Sequence, residues 1–418
     1  MMSETNRSTG EASTAYQIVL TALLSLNFGI VFFDRNALNF LQPFVAPELG
    51  LNNEQVGILA GGLSLTWALA ALGIGYISDR TGSRKGLLIA STLAFSLCCF
   101  LSGIAGSFLA LLGARLLMGA AEGGVMPISQ SLIASEVKPA HRGIAMGVAQ
   151  NLGSNLMGSF LAPVVLTTFA VAYGWRHAFY LAAIPGIVSA LLMWRFVRTP
   201  PPEPRPTNVQ KLSVMEAFAE RNVLVCVILG VLLVSYLVVC WAFMPLYLIN
   251  VRHFDPDTEK WLMGALGISA TIGAFAVSGL SDRIGRRPLM ILLPFVGVIL
   301  PLGAMWFDGS VWVLAAIFFF GWALNGIFPL FMATVPSESV SREHIAVVLG
   351  LCMGIPEVLG GVFAPWLAGR IADRVGADAP LWIMFWLAIA AGLVAFGLRE
   401  TAPRVLAARA TASPVRAT

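Results

Sequence analysis

Charged residues are scarce in this sequence. Asp, Glu, Lys and Arg make up only 11% of its 418 residues, against about 25% in soluble domains. So few charges could not cover the surface of a soluble protein of this length, and 57% of the residues are hydrophobic. The composition therefore predicts a membrane protein that crosses the bilayer many times.

Cysteines, histidines and catalytic motifs are also few. The chain has no Gly-x4-Gly-Lys-Ser/Thr phosphate loop and no His-Glu-x2-His, and none of its four histidines lies deep in an apolar stretch. We therefore predict neither an enzyme nor an ATP-driven pump, and no cofactor. All five cysteines fall in apolar stretches, where a thiol behaves as a small hydrophobic group, so we predict no disulfide framework and no metal site. They are Cys98, Cys99, Cys226, Cys240 and Cys352.

Twelve apolar stretches are long enough to cross a bilayer as helices. A proline-rich polar segment at 197–222 divides them six and six. We predict an all-α membrane protein with an N-terminal six-helix bundle (1–196), a cytoplasmic linker (197–222) and a C-terminal six-helix bundle with a cytoplasmic tail (223–418). The polar start of the chain lacks the pattern of a cleaved signal peptide. The predicted spans are 17–43, 53–77, 86–105, 108–133, 143–171, 175–196, 223–249, 259–280, 288–306, 311–334, 344–368 and 380–398.

The distribution of Lys and Arg predicts the orientation. With the amino terminus in the cytoplasm, nineteen basic residues fall on the cytoplasmic side and five on the outer side, with Arg35 and Arg115 inside the membrane. Cytoplasmic loops are the basic ones in membrane proteins. We therefore predict that both termini are cytoplasmic. The net charge of +4 is spread over short loops, so no nucleic-acid partner is predicted.

A loop motif occurs twice, at equivalent places in the two predicted bundles. Gly-x3-Asp-Arg-x-Gly follows the second span, and Ser-Asp-Arg-x-Gly-Arg-Arg follows the eighth, with the two aspartates 282 − 79 = 203 residues apart. Positive-inside anchoring explains the basic residues equally well, but it does not explain the aspartates. The motif resembles that of the major facilitator superfamily, which implies two six-helix bundles around a central cavity and alternating access. We predict a gate brace formed by Gly75, Asp79, Arg80, Gly82, Arg84, Asp282, Arg283, Gly285 and Arg286.

Four charged residues lie within the predicted spans of the first bundle. Asp34 and Arg35 are adjacent in the first span, while Arg115 and Glu122 lie seven residues apart on one face of the fourth. A charge at mid-membrane costs several kcal/mol unless it is paired or faces water. A purely structural ion pair is one interpretation. We instead hypothesise a functional network of all four, in which Arg115 neutralises an acid while the protein is empty.

These four residues resemble the pattern of the anion:cation symporter family within the superfamily. The resemblance implies that Asp34 and Glu122 couple transport to protons, that Arg35 binds the substrate carboxylate and that Arg115 is a switch. The pattern is also similar to that of spinster-type lysolipid transporters. It therefore does not identify the substrate.

Polar residues in other spans extend the candidate site. Amides can hydrogen-bond sugar hydroxyls, although interhelical hydrogen bonding is an equally good explanation for them. Glu357 is the only carboxylate deep in a second-bundle span, with no basic residue at similar depth in that bundle; it either is protonated or reaches the cavity, and we add it to the proton-coupling residues. Aromatic candidates such as Trp241 are more often packing residues. The predicted substrate-binding residues besides Arg35 are Asn39, Gln42, Asn151, Ser154, Asn155, Tyr236 and Asn325.

The sequence thus predicts a monomeric secondary transporter of the bacterial inner membrane. It would take up a small organic anion, such as a sugar acid, together with protons, driven by the proton gradient alone. The alternative on the same fold is an exporter of lysolipids or amphiphilic drugs. A small polar pocket around Arg35 would favour the first, and an apolar pocket open to the bilayer the second.

Overall fold

The structure is a computed structural model that describes residues 13–81, 83–138, 141–198, 214–341 and 344–412. Over these ranges the chain is helical and contains no β-strand. In the described part of the chain, ten continuous helical stretches are long and apolar enough to cross a membrane, and several of them join two or more of the helices named below. Helices Asn53–Thr81 and Ala379–Ala395 stand where the sequence predicts the second and twelfth spans. The all-α membrane class is confirmed, while the total of twelve spans and the division into two bundles stay predictions.

The first half of the chain, up to residue 198, begins with a helix of 36 residues that the Ser13 side chain caps. The helix then ends at Gly50, which adopts a left-handed φ of 62°. Its helices are α1 (Thr14–Leu49), α2 (Asn53–Thr81), α3 (Arg84–Ile104), α4 (Phe108–Glu122), α5 (Val125–Glu136), α6 (Arg142–Gly147), α7 (Ala162–Tyr173) and α8 (Trp175–Phe196).

The second half, from residue 214, contains two helices that the sequence analysis missed. Helix α9 (Val214–Ala219) lies inside the predicted linker, and α19 (Pro403–Ala412) lies in the predicted tail. Helix α9 has only six residues, and α19 carries two arginines among ten, so neither forms an apolar stretch of spanning length. The others are α10 (Arg221–Asn250), α11 (Pro256–Ile284), α12 (Arg286–Gly297), α13 (Ile299–Trp306), α14 (Val311–Gly321), α15 (Val335–Ser339), α16 (Ile345–Pro356), α17 (Ala364–Val375) and α18 (Ala379–Ala395).

Several helices lose regular α-geometry near the predicted site residues. The fifth span is π-helical over Val148–Leu152 and Ser154–Leu161, and the eleventh over Glu357–Phe363. The tenth span has a 3₁₀ segment at Trp322–Ile327 and a π segment at Leu330–Thr334. Such segments re-aim side chains and occur frequently at functional sites. The irregular stretches carry Asn151, Ser154, Asn155, Asn325 and Glu357.

The two halves pack closely at one end of the molecule, which we name the closed end. It is the end where α1 finishes and α2 begins. A Cβ added to Gly57 would lie 2.1 Å from Pro365 O, and one added to Gly369 would lie 2.0 Å from Asn53 O. Only glycine permits this approach of α2 and α17.

Hydrogen bonds reinforce the closed end. Asp373 of α17 accepts bonds from the Asn53 backbone N–H at 3.0 Å and the Glu54 backbone N–H at 2.8 Å. It thereby caps the first turn of α2 from the other half of the chain, where a carboxylate is favoured by the helix dipole. In return, Trp366 donates to Glu54 Oε1 at 2.9 Å.

The remaining hydrogen bonds and close glycine contacts resolved between the two halves lie at the closed end or at mid-depth. They involve residues 35–64 and 155–168 of the first half.

Candidate substrate and proton site

Arg35 lies where the two halves meet at mid-depth. Its Nη2 donates to Glu357 Oε1 at 3.0 Å and to Ser64 Oγ at 3.1 Å. The rings of Trp67 and Phe32 lie 5.5 and 5.8 Å from its guanidinium carbon. Both members of the ion pair keep 16% of their side-chain surface exposed. The Arg35 side chain is therefore held by two hydrogen bonds and is still accessible.

Asp34 of helix α1 and Glu122 of helix α4 carry fully buried carboxyl groups. Their residues are 0% and 1% exposed, and none of their four side-chain oxygens has a hydrogen-bond partner in the described part of the chain. Burying a carboxylate without hydrogen-bond partners destabilises a protein by several kcal/mol. Such a group is expected only where it has a function or a compensating charge nearby.

Arg115 lies between these groups and is 2% exposed. It donates from Nη2 to the backbone carbonyl of Arg35 at 2.8 Å and approaches the sulfur of Met118 at 3.3 Å. It interacts electrostatically with both acids and with Arg35. Among the described residues it makes no ion pair with Asp34 or Glu122, so its direct contact is with the backbone of helix α1.

Glu357 completes this arrangement from the second half. No basic partner for Glu357 was predicted, because the described residues of the second half place no basic side chain at its depth. The partner is Arg35, 322 residues earlier in the chain. Gly361, one turn further along, lets α2 come close: a Cβ there would lie 3.2 Å from Ser64 Oγ and 3.3 Å from the Glu357 carboxyl carbon.

The predicted polar stripe of the first half is divided between the cavity and the helix contacts. Asn39 is half-buried and donates to Asn36 Oδ1 at 3.3 Å, and Asn36 donates to Gly158 O at 3.0 Å. Gln42 is buried, and its Oε1 has no partner among the described residues. Asn36, Ser64 and Trp67 adjoin the site and were missed by sequence reasoning, since Ser and Trp in an apolar stretch give no signal of their own.

The fifth-span residues mostly bond backbone carbonyls. Asn151 donates to Gly147 O at 3.3 Å and Ser154 to Gln150 O at 2.5 Å, both within their own helix. Asn155 donates to Ala270 O of the second half at 3.4 Å. Asn151 and Asn155 remain half-buried, so they can exchange these bonds for others.

The second-half aromatic candidates form a packed cluster. Tyr236 is 0% exposed and donates to Gly297 O at 2.8 Å. Trp241 packs edge-on against Phe40 and Trp322, at 5.6 and 5.3 Å between ring centres. These positions fit packing rather than contact with a substrate. Asn325 is half-buried beside this cluster.

The second copy of the loop motif forms a dense ionic cluster. Arg286 is 6% exposed and pairs with Asp282 at 2.5 Å and with Glu338 at 3.1 Å. Glu400 accepts the backbone N–H of Arg286 at 2.8 Å, and Gly285 reaches this position with a φ of 112°. Arg283 is exposed.

In the first copy, Gly82 lies outside the described residues, as do the side chains of Asp79 and Arg80 and the surroundings of Gly75. Arg84 is half-buried at the start of α3. The gate role of both copies stays a prediction.

Membrane-length helices around a mid-depth ion pair and two buried acids define a polytopic membrane protein with an accessible charged centre. The chain belongs to the Major Facilitator Superfamily, whose family model matches residues 24–355. It is thus a membrane transporter by family and not an enzyme. Among the described residues no three His, Cys, Asp or Glu come together as a metal site would require; the prediction of no cofactor remains a prediction.

Curated relatives include transporters named for organic anions. The chain is 28% identical over 306 residues to a probable 4-methylmuconolactone transporter of Cupriavidus pinatubonensis, covering 71% of this chain and 70% of that protein. It is 23% identical over 397 residues to the hexuronate transporter of Bacillus subtilis, covering 88% and 89%. It is 25% identical over 393 residues to a probable sulfoacetate transporter of Cupriavidus necator, covering 87% and 90%.

Other similar proteins have different printed functions. A multidrug resistance protein, MdtG of Dickeya zeae, is 26% identical over 365 residues, 83% of this chain and 87% of that protein. Among solved structures, a bacterial homologue of the lysosomal transporter Spinster, inward-facing and occupied, superposes with a TM-score of 0.70 at 18% identity, covering 97% of this chain and all of that one. At this identity the structural likeness shows the fold alone.

Proposed function

We propose that this protein is a secondary transporter that takes up a small organic anion together with protons. Arg35 binds the substrate carboxylate, Asp34 and Glu122 carry protons, and Arg115 is the switch. The observation that supports this most is the combination of an accessible Arg35 guanidinium with two fully buried carboxyl groups that lack hydrogen-bond partners among the described residues, one of which, Glu122, interacts electrostatically with Arg35.

The chemistry of the pair suits anion binding. A guanidinium presents a fork of donors that matches the two oxygens of a carboxylate, and such bonds are strong where water is partly excluded. Trp67 and Phe32 narrow the space around Arg35. The half-buried amides of Asn39, Asn151 and Asn155 could then bind hydroxyl groups of the substrate.

The chemistry of the acids suits proton coupling. Asp34 and Glu122 are stable in this surrounding as neutral acids, and either can release its proton only when a cation or water approaches. Arg115 is the cation within electrostatic reach of both. A shift of Arg115 from the carbonyl of Arg35 towards Glu122 would exchange a hydrogen bond for an ion pair and expel the proton.

Alternating access requires that the closed end opens while the opposite end closes. We propose that the closed end faces the outside and that both termini are cytoplasmic, as the basic residues predict. The described conformation then faces inward. The inner membrane of a bacterium and a monomeric state complete the proposal.

The relatives named for hexuronate, sulfoacetate and methylmuconolactone support a carboxylate, sulfonate or lactone-derived anion as the substrate class. The alternative of an exporter for lysolipids or drugs is supported by the likeness to the multidrug resistance protein MdtG. The half-buried amides and the ion pair around Arg35 favour the small anion, because an amphiphile would require an apolar pocket.

The test is uptake by the purified protein in liposomes. D-glucuronate, sulfoacetate and 4-methylmuconolactone are supplied outside at pH 6 with the lumen at pH 7.5, and liposomes at equal pH and liposomes without protein are the controls. Accumulation of at least one acid that collapses with a protonophore is expected. If no acid accumulates and a fluorescent lysolipid is exported instead, the exporter is the correct function.

A further inference from the structure

Glu357 occupies the hydrogen-bond donors that a substrate carboxylate would need. A guanidinium has five N–H donors, two on each terminal nitrogen and one on Nε. Both hydrogens of Nη2 of Arg35 are in use, one towards Glu357 Oε1 at 3.0 Å and one towards Ser64 Oγ at 3.1 Å. Among the described residues, Nη1 and Nε have no hydrogen-bond partner recorded.

A bidentate carboxylate must use Nη2. It can approach the guanidinium end-on, across Nη1 and Nη2, or side-on, across Nε and Nη2. Each approach takes one Nη2 hydrogen. A substrate carboxylate therefore has to displace either the hydroxyl of Ser64, which is 1% exposed, or the carboxylate of Glu357, which is accessible. Glu357 is the acceptor that can swing away.

The described residues of the helices packed against its segment offer the displaced Glu357 no second cation. Helix α16, which leads into the segment, carries Cys352 as its titratable residue. Helix α10, which packs against its segment, has no Asp, Glu, Lys, Arg or His after Arg221, and its titratable groups are Cys226, Tyr236, Cys240 and Tyr247. In α2 the neighbours of the pair are Ser64 and Trp67. Helix α17 keeps its charged residues, Arg370, Asp373 and Arg374, near the closed end.

The charged residues of helix α4, on the other side of Arg35, do not provide a partner for the displaced Glu357 either. Arg115 and Glu122 of helix α4 interact electrostatically with Arg35, and Arg115 is held by the Arg35 carbonyl. Two negative charges, the displaced Glu357 and the substrate, would then share one guanidinium in a membrane interior. This arrangement is expensive unless one charge is neutralised.

We propose that Glu357 is a built-in competitor for Arg35, and that the substrate carboxylate binds there only as Glu357 takes up a proton. The balance is simple: the substrate brings one negative charge, a proton from the aqueous cavity converts the Glu357 carboxylate to a carboxylic acid, and the net charge of the site is unchanged. The inference rests on the proposed function and adds to it a proton-binding and selectivity residue from the second half.

The test measures substrate affinity against pH for wild type and Glu357→Gln in detergent, using the acid that liposome uptake identifies, with D-glucuronate as the first probe. Trp67, 5.5 Å from the Arg35 guanidinium, serves as a fluorescence reporter. If substrate binding requires the uptake of one proton, the substrate affinity falls up to tenfold for each unit by which the pH rises. We expect Glu357→Gln to lower that slope by one proton per substrate and to bind more than tenfold tighter at pH 8.

Two further variants keep the result interpretable. Ser64→Ala frees the second Nη2 hydrogen but leaves Glu357 and the substrate as two negative charges on one guanidinium. Its affinity should therefore rise, while its pH slope should equal that of wild type. Glu357→Asp retains the carboxyl group and should retain the slope, and it replaces Glu357→Gln as the informative variant if the latter does not fold: loss of the slope in Glu357→Asp would contradict the proposal.

The outcomes separate the two hypotheses. If wild type binds an acid with proton uptake and Glu357→Gln keeps the same slope and affinity, the inference is wrong and the proposed function stands. If wild type binds no acid at any pH, the proposed function fails and the inference fails with it.

Discussion

The two halves of the chain share an architecture of apolar helices but differ in the charges they bury. The first half holds Asp34, Arg35, Arg115 and Glu122 at mid-depth, whereas the second half contributes Glu357 there, beside a packed aromatic cluster around Tyr236. The other buried charges of the second half, Glu259, Lys260 and Arg286, lie near the starts of helices α11 and α12. The difference teaches that the chemistry is concentrated in one half. The second half supplies a single counter-charge and the packing against which the first half moves.

The largest effect is expected from Arg35. Arg35→Ala removes the only accessible cation described at the site and leaves Glu357 unpaired, so substrate affinity should fall at least about 100-fold, as for truncation of a partly buried charge pair. Arg35→Lys keeps the charge but loses the fork and should recover part of the affinity. Arg404→Ala, which removes an exposed arginine of the second half outside every predicted site, is the matched control. Equal affinity in all four proteins would place the anion site elsewhere.

Glu122 should separate exchange from accumulation. Glu122→Gln mimics the neutral acid in a site where the wild-type carboxyl group has no hydrogen-bond partner, so substrate exchange across liposomes at equal pH should continue. Accumulation driven by a pH gradient should be lost, because the proton can no longer be released. Glu220→Gln, outside the site, controls for the loss of a carboxylate. Normal accumulation by Glu122→Gln would remove this residue from the coupling role.

A smaller effect is expected at the closed end. Asp373→Asn weakens the cap of α2 by about 1 kcal/mol, since a neutral amide accepts weaker bonds from the helix terminus. That should shift the balance of closed and open states roughly fivefold. Spin labels at Tyr173 and Ala377, both exposed near this end, would report a longer distance component. The five native cysteines are buried and should not react with the spin-label reagent. An unchanged distance distribution would show that glycine packing alone closes this end.

The smallest effect is expected in the aromatic cluster. Tyr236→Phe removes the bond to Gly297 O and should lower the free energy of unfolding by about 1 kcal/mol, measured by thermal unfolding in detergent. Uptake should remain at the wild-type level. A tenfold loss of substrate affinity at unchanged stability would instead make Tyr236 a substrate ligand, and the second half would then contribute a neutral ligand besides its counter-charge.

Much of this picture follows from the sequence, because membrane-length apolar stretches and charges within them are local signals. Asp34, Arg35, Arg115 and Glu122 were identifiable for that reason. The pair between Arg35 and Glu357 was not, since it joins helices 322 residues apart and depends on where the π-helical turn directs the glutamate. Nor could the environment of Tyr236 be predicted, because α10 is apolar on every face and gives no amphipathic pattern.

The short helices α9 and α19 were missed for a related reason. Neither contains an apolar stretch of spanning length, since α9 has only six residues and α19 is interrupted by arginine. The sequence also does not predict that Asp373 of α17 caps the start of α2. The two helices lie far apart in the chain, and the close contacts at Gly57 and Gly369 are what bring them together.

The central claim is that the anion and the proton move together through a site built on Arg35. The most direct measurement is proton entry driven by the substrate alone: liposomes with equal pH on both sides and a pH-sensitive dye inside are given the transported acid outside, with valinomycin and potassium to clamp the voltage. The account predicts acidification of the lumen in wild type and none with Arg35→Ala. Entry of the acid without any acidification would contradict it.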